Sequence, residues 1–298
     1  VTPAATLAEI VATATAALEG AGVASARNDA EWLLAGVLDG GRFDAYLRAD
    51  RAVPPGVAGR YDALVRRRAA GEPLQQILGW EAFRGLRIRV TPDVLVPRPE
   101  TEMLVEWALA LLDRDARRVV DVGTGSGCIA CAVAVERPGV RVLALDVSPA
   151  AAAVAAANTV AHGVRDRVAV GVADLLATVR TASVDMVVAN PPYLAAPLLP
   201  AIQREVRDWE PHVALLGGDD GLSVLRPLIR DARRVLKAGA PLVVETGADH
   251  AAVVARVFRR SGYVDIRTRE DLTGTVRFVA GRASRGAGAP DAVEGVRS

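Results

Sequence analysis

The residues with most chemical potential are Asn190, Pro191, Pro192 and Tyr193, which close the run "DMVVANPPY". Met186, Val187 and Val188 read as a short strand covered on both faces. Two prolines then remove two backbone donors and fix φ, so the strand must stop. A plain turn would more often use Gly, Asp or Ser. The other reading is that the stiffness is used. The Asn190 side-chain oxygen and the Pro191 carbonyl can each accept one N–H from a planar NH2 group, either an amide or the amino group of a base. The lone pair of such a nitrogen is delocalised, so it is a poor nucleophile. Two fixed acceptors would hold it in line with an electrophilic methyl group and favour a tetrahedral nitrogen as the bond forms. Tyr193 can stack on the flat group. No strong base is needed if the proton leaves after transfer.

A second cluster lies upstream. "DVGTGSG", Asp121 to Gly127, follows an apolar strand and precedes a helix. Its glycines let the backbone pass close to a ligand, and the helix offers free N–H groups. The spacing is not the dinucleotide fingerprint, and no Lys-Ser/Thr follows as in a triphosphate loop. Alone, such a turn is often only a tight connection. Asp146 ends the next strand, "RVLALD", where a carboxylate can accept from both hydroxyls of a ribose or merely cap the helix after it. Asp174, in "VADLL", could accept from an adenine amino group or stand as a solvated loop acid. The glycine turn, Asp146, Asp174 and Asn190 fall at the carboxyl ends of four successive strands, so one crevice can hold them all. The implied ligand carries a ribose and an adenine, and S-adenosylmethionine fits better than NAD. Nothing in the sequence suggests a metal site.

These residues need a scaffold. From about 118 onward, strands alternate with helices: "RRVVDVG", "VRVLALD", "DRVAVGVAD", "DMVVAN", "APLVVETG", "YVDIRTRED" and "GTVRFVAGR" read as strands. That alternation predicts a doubly wound, mostly parallel α/β sheet. Ser148 is expected to cap the helix that opens at Pro149. Residues 1 to about 75 look helical throughout. Leu7, Ile10, Val11, Ala14 and Leu18 keep a helical period that Gly20 and Gly22 stop. A second helix is expected with Asn28 or Asp29 as N-cap and Gly40-Gly41 as its stop. Arg66-Arg67-Arg68 reads as a solvated face more readily than as a phosphate contact. Short alternating stretches over 76–92 predict a β-hairpin linking two domains.

The chain of 298 residues is 51% hydrophobic, 24% charged and 4% aromatic, with a net charge of +1. It can bury a substantial core. Bulk charge announces no nucleic-acid partner, and so few aromatics argue against a base-stacking surface. Cys128 and Cys131 form a lone C-x-x-C inside a small-residue apolar helix and are expected as core thiols of a reducing, cytoplasmic protein. The N-terminal stretch carries Glu9 and Glu19 and reads as a helix rather than a targeting segment. No long uncharged apolar run predicts a membrane span.

Several stretches together carry a resemblance. "VLVPRPETE" (94–102), "DVGTGSG", "NPPY", "WEPHVALLGGDDGL" (209–222) and "DLTGTVRFVAGR" (271–282) occur in that order, preceded by "DAEWLLAGVL" and "RRRAAGEPLQQILG". Over about 25–282 the sequence resembles the HemK/PrmC family, the glutamine-N5 methyltransferases of peptide chain release factors. The resemblance implies a seven-stranded Rossmann-like methyltransferase sheet with a small N-terminal helical domain joined by a β-hairpin. It divides the chain into a helical substrate-recognition domain (1–75), a hairpin linker (76–92), an S-adenosylmethionine-dependent domain (93–283) and a disordered tail (284–298). It implies methyl transfer to the glutamine amide of a Gly-Gly-Gln motif in class I release factors, with no membrane and no direct nucleic-acid substrate. Gly123, Thr124, Gly125, Ser126 and Gly127 would bind the methionine part, Asp146 the ribose, and Asp174 and Leu175 the adenine end. Asn190, Pro191, Pro192 and Tyr193 would hold the glutamine amide, with Arg98, Glu100 and Thr101 near the pocket mouth. Leu175 stands where some members have Trp, and His250 where Gln is usual. The competing class is an N6-adenine or N4-cytosine methyltransferase of DNA or RNA, for which the chain lacks a basic, aromatic-rich recognition segment. A nucleoside-binding module without activity would not need Asn-Pro-Pro-Tyr.

Overall fold

The computed structural model describes residues 5–38, 40 and 49–284. The described chain divides into two compact units. The first runs to Trp80 and takes in Ile202–Trp209; the second comprises Glu81–Ala201 and Glu210 onward.

In the first unit, α1 (Leu7–Gly20) buries Leu7, Ala14 and Leu18. A capping box starts it: Thr6 Oγ1 accepts from the Glu9 amide at 3.3 Å, and Glu9 Oε2 accepts from the Thr6 amide at 2.8 Å. α2 (Ala26–Val37) begins after Ser25, earlier than the expected cap at Asn28 or Asp29. The reason is that Asp29 has another use. It lies inside the helix, buried, and accepts from Ser25 Oγ at 2.8 Å and from Arg68 Nε at 2.7 Å. Arg68 sits on α3 (Val57–Ala69) and also pairs with Glu205 at 2.7 Å. The arginine run is therefore not one solvated face: Arg66 is exposed, Arg67 pairs with Glu72, and Arg68 is buried between two carboxylates. A short α4 (Leu74–Leu78) follows, and Gln76 Nε2 donates to the Trp209 carbonyl at 3.1 Å. Of the expected stop at Gly40-Gly41, Gly41 lies outside the described residues.

The second unit opens within the hairpin of β1 (Trp80–Phe83) and β2 (Leu86–Arg89), from Glu81 onward. Phe83 and Ile88 are buried in its core. After α5 (Pro99–Leu111) comes the alternation read from the sequence. Its elements are β3 (Arg118–Val122), α6 (Cys128–Glu136), β4 (Arg141–Asp146), α7 (Pro149–Ala161), β5 (Val168–Val172) and β6 (Met186–Ala189). Beyond β6 lie a 3-10 turn (Ala196–Ala201), then α8 (Arg204–Trp209), which belongs to the first unit, and α9 (His212–Leu215). The unit closes with α10 (Leu225–Val235), β7 (Pro241–Glu245), α11 (Ala251–Arg260), β8 (Tyr263–Glu270) and β9 (Val276–Ala283). Ser148 caps α7, accepting from the Ala151 amide at 3.2 Å.

One seven-stranded sheet results, in the order β5-β4-β3-β6-β7-β9-β8. Strands β3 to β7 pair in parallel, while β9 runs antiparallel to both β7 and β8. Successive residues enter opposite cores: Val119, Met186, Val188 and Val243 on the α5–α6 side, Val120, Val187, Ala189 and Val244 on the α10–α11 side. That two-sided burial is why these strands are apolar without alternation. The chain walks from β3 out to β5, then returns to β6 on the other side of β3. The carboxyl ends of β3 and β6 flank this switch point, where open α/β sheets place ligands. No described helix is long and apolar enough to cross a membrane. The tail expected to be disordered lies, beyond Ser284, outside the described residues.

Candidate active site

Register aligns the chemistry. Val122 lies opposite Leu145 on one side and Ala189 on the other, and Ala189 lies opposite Val244. The next residue of each strand is therefore Gly123, Asp146, Asn190 and Glu245, on one line at the sheet's carboxyl edge. Sequence reasoning found the first three; Glu245 is new.

The glycine turn is built backbone first. Gly123, Gly125 and Gly127 have φ of 70, 53 and 79°. The Gly123 and Thr124 amides both donate to the Leu145 carbonyl, at 2.8 and 2.9 Å. Thr124 Oγ1 donates to Asp121 Oδ2 at 2.6 Å. Burial pushes the Asp121 carboxyl up to about 7, and the Thr124 hydroxyl counteracts this. Cβ atoms at Gly123 and Gly125 would meet nothing within 4 Å, so these positions need glycine for φ, not for room. Gly127 differs. Its Cβ would fall 3.0 Å from the Ala155 Cβ, and it is absent from the cavity wall. Gly127 thus also packs the start of α6 against α7.

A cavity of about 200 Å³ opens above the switch point. Gly123, Thr124, Gly125, Ser126, Asp146, Asp174, Leu175, Asn190, Pro191 and Pro192 all line it, as do Arg98 and Thr101. Each Asp146 oxygen takes one backbone donor: Oδ2 accepts from Gly125 at 2.8 Å, Oδ1 from Ser148 at 2.9 Å. A carboxylate has about four acceptor sites, so both oxygens keep room for a hydroxyl. Val147, Ala173, Leu175, Val213 and Ala214 supply apolar surface beside it, with Asp174 exposed at the rim. Leu175 holds φ at 46° while Leu176 is anchored in the core. A left-handed leucine costs on the order of 1 kcal/mol, which such anchoring offsets.

The Asn-Pro-Pro-Tyr segment is braced from two sides. Asn190 Nδ2 donates to Thr101 Oγ1 at 3.0 Å, and Thr101 Oγ1 donates to Glu245 Oε2 at 2.9 Å. Tyr193 is absent from the cavity wall; its ring packs on the core and its hydroxyl donates to Glu245 Oε1 at 3.3 Å. The half-buried Tyr193 thus also braces the segment through its bond to the carboxylate behind it. On the other side, the Leu194 amide donates to the Leu215 carbonyl, and the Gly217 amide to the Leu194 carbonyl, both at 2.9 Å. A Cβ at Gly217 would fall 2.8 Å from the Pro192 carbonyl, and one at Gly221 would collide with the Tyr193 carbonyl and the His250 ring. His250 and Tyr193 thus both lie against Gly221 and Gly247.

Three further residues complete the site's frame. Arg98 pairs with buried Glu210 at 2.6 Å, whereas Glu100 is absent from the wall. Asn158 of α7 ties the turn to the hairpin, donating to the Ser126 carbonyl at 2.8 Å and accepting from the Arg89 amide at 2.8 Å. Nothing in its sequence context marks it. A carboxylate closing the strand "PLVVE" is the available signal for Glu245. Cys128 and Cys131 are free and buried, and burial pushes both thiols up to about 12. Among the described residues no cluster of three or more His, Cys, Asp or Glu could hold a metal ion.

The donor set fits S-adenosylmethionine: a glycine turn, a carboxylate with free acceptor sites, and an apolar wall with an acid at its rim. The comparisons with known proteins agree. The family described as "PrmC N-terminal domain" matches residues 9–79, and "Methyltransferase small domain" matches residues 100–200. A relative from Cereibacter sphaeroides named release factor glutamine methyltransferase is 42% identical over 267 residues, covering 89% of this chain and 94% of its own. One of the same name from Geobacter sulfurreducens is 41% identical over 261 residues, covering 88% and 91%. A methyltransferase structure from Pyrococcus furiosus aligns with a TM-score of 0.52 at 18% identity, covering 75% of this chain and 98% of its own, which supports the fold alone. By this likeness across nearly its whole length, the chain belongs to the release factor glutamine methyltransferase family and is an S-adenosylmethionine-dependent methyltransferase.

Proposed function

We propose that the enzyme methylates the side-chain amide nitrogen, N5, of the glutamine in the Gly-Gly-Gln motif of class I peptide chain release factors. The supporting observation is the Asn190 amide. Its nitrogen is taken by Thr101, which leaves its oxygen, next to Pro191, in a cavity shared with the glycine turn and Asp146. That oxygen and the Pro191 carbonyl would each accept one N–H of the glutamine amide. Gly123 to Ser126 would hold the methionine part, Asp146 the ribose hydroxyls, and Asp174 the adenine amino group, with Leu175 against the adenine face. When bound, S-adenosylmethionine would supply a methyl carbon on a sulfonium, to be taken by the amide nitrogen with the C–S electron pair left on sulfur and one N–H proton lost to water. The protein's own contribution is orientation and charge placement. The N-terminal helical unit would recognise the release factor, in the cytoplasm where termination takes place. The relatives' shared name supports this acceptor.

The test uses labelled S-adenosylmethionine with purified release factor, its Gly-Gly-Ala variant, DNA and RNA in parallel. Label is expected in the wild-type release factor alone. Label in nucleic acid alone would assign Asn190 to a base amino group and overturn the proposal.

A further inference from the structure

We infer that Glu245 and Thr101 are positioning residues that fix which way the Asn190 amide faces. The inference rests on the reading of Asn190 as the acceptor for a substrate N–H. An asparagine amide has two ends of similar shape and opposite polarity. Only the oxygen can accept from an NH2 group; the nitrogen would confront it donor to donor. Something must therefore hold the amide one way round.

The structure supplies it by hydrogen-bond accounting. An ionised carboxylate accepts and cannot donate, so with Glu245 ionised the Thr101 hydroxyl must spend its single proton on Oε2. The Thr101 oxygen can then only accept, and the Asn190 group facing it must be the NH2. Oδ1 is left without a protein partner among the described residues, on a side chain that lines the cavity. Tyr193 donates to the other carboxylate oxygen, so Glu245 is committed on both sides. The order breaks if Glu245 gains a proton. It can then donate to Thr101, whose hydroxyl is freed to donate toward Asn190, and the reversed amide becomes equally well bonded.

The groups around Glu245 determine when this happens. Burial pushes its carboxyl up to about 7; Glu100 on α5 adds to the rise, while the Thr101 and Tyr193 hydroxyls and Arg277 on β9 oppose it. Arg277 is itself held by Asp271 at 2.5 Å. The ordered state is thus populated above about pH 7 and lost below it.

The experiment measures kcat and KM from pH 6 to 8.5 for the wild type and for Glu245→Gln, Thr101→Val and Thr101→Ser. The wild type is expected to lose kcat as pH falls through about 7. Glutamine can donate to Thr101, so Glu245→Gln should lower kcat by about tenfold to a hundredfold, abolish the acid limb and leave KM for S-adenosylmethionine within about threefold. Thr101→Val should do the same, and the double variant should be no worse than either single one. Thr101→Ser, which keeps the hydroxyl, should recover most of the lost rate together with the acid limb. The raised carboxyl costs the folded state stability as pH climbs from about 4 to about 7, so at pH 8 Glu245→Gln should unfold no lower than the wild type. A Glu245→Gln enzyme that keeps half the wild-type kcat, or an acid limb, overturns the relay. If that variant does not fold, the Thr101 pair decides: equal rates for valine and serine overturn it. Failure of the proposed acceptor is separate. A wild type that labels nucleic acid instead of release factor removes that acceptor, and the same variants are then scored on whatever is labelled.

Discussion

At the scale of single residues, the proposed reading divides the site between groups that would touch a ligand and groups that would aim them. Asn190 would belong to the first kind. Asn190→Ala is expected to lower kcat at least a hundredfold while S-adenosylmethionine affinity stays within about threefold, since on that reading its oxygen, left free by the Thr101 bond, meets the acceptor nitrogen. Single-turnover methyl transfer together with calorimetric cofactor binding checks both halves. Asp146 is proposed to bind instead of aiming. Its two oxygens are each oriented by one backbone amide, so Asp146→Ala should weaken the cofactor by roughly 2–4 kcal/mol, the worth of one to two hydrogen bonds to a charged group. Unchanged calorimetric affinity would remove the ribose assignment. Asp146 and Asn190 are legible in the sequence because each sits beside a turn chemistry that a plain connection does not need. Thr101 is legible there only as a neighbour of the pocket. Its role depends on where one hydroxyl proton goes, which spacing along a chain does not encode.

At the scale of elements, the segment after β6 owes its shape to another loop. Leu194 exchanges backbone bonds with Leu215 and Gly217, the Ala196 amide donates to the Gly218 carbonyl, and Gly217 brings its Cα close against the Pro192 carbonyl. Gly217→Ala places a methyl 2.8 Å from that carbonyl and 2.6 Å from the Gly221 carbonyl, so the proline segment must shift. A shift of about an ångström costs rate rather than affinity, and kcat should fall about tenfold to a hundredfold with cofactor binding retained. Steady-state kinetics beside cofactor titration separates the two. Helix caps and glycine-rich turns near the sheet are readable because their signals are local. The cap of α2 is not. Asp29 has the side chain of an N-cap, but the partner that decides its role, Arg68, is 39 residues away.

At the scale of the whole molecule, two compact units stand on different physics. The second is an apolar sheet buried on both faces. The first is a small helical core that carries a buried charged cluster of Asp29, Arg68 and Glu205. Removing the shared cation leaves Asp29 buried and unpaired, so Arg68→Ala should destabilise the first unit by about 3–5 kcal/mol. Exposed Arg66→Ala should change stability by less than about 0.5 kcal/mol. Urea unfolding of both variants is the check, and equal midpoints would dismiss the cluster as a stabilising feature. The cluster also shows why the division of the chain is not a simple cut. Ile202–Trp209 lies far along the sequence yet belongs to the first unit, because Glu205 and Trp209 complete pairings with Arg68 and Gln76.

The sequence by itself determined the sheet, the crevice and the residues at its floor. Apolar strands without alternation demand cover on both faces, and residues that end successive parallel strands must share one edge. That is enough to bring Gly123, Asp146 and Asn190 together without coordinates. The tertiary structure alone decided what stands behind them. Glu245 became a neighbour of Asn190 through the pairing of β6 with β7, and Thr101 reached both from a helix 89 residues before Asn190 and 144 before Glu245. Gly127 and Tyr193 share motifs with cavity residues, and only packing shows their protein neighbours, an adjacent helix and a buried carboxylate. Local pattern specifies which element a residue joins; register and packing between distant elements specify which way its side chain is satisfied.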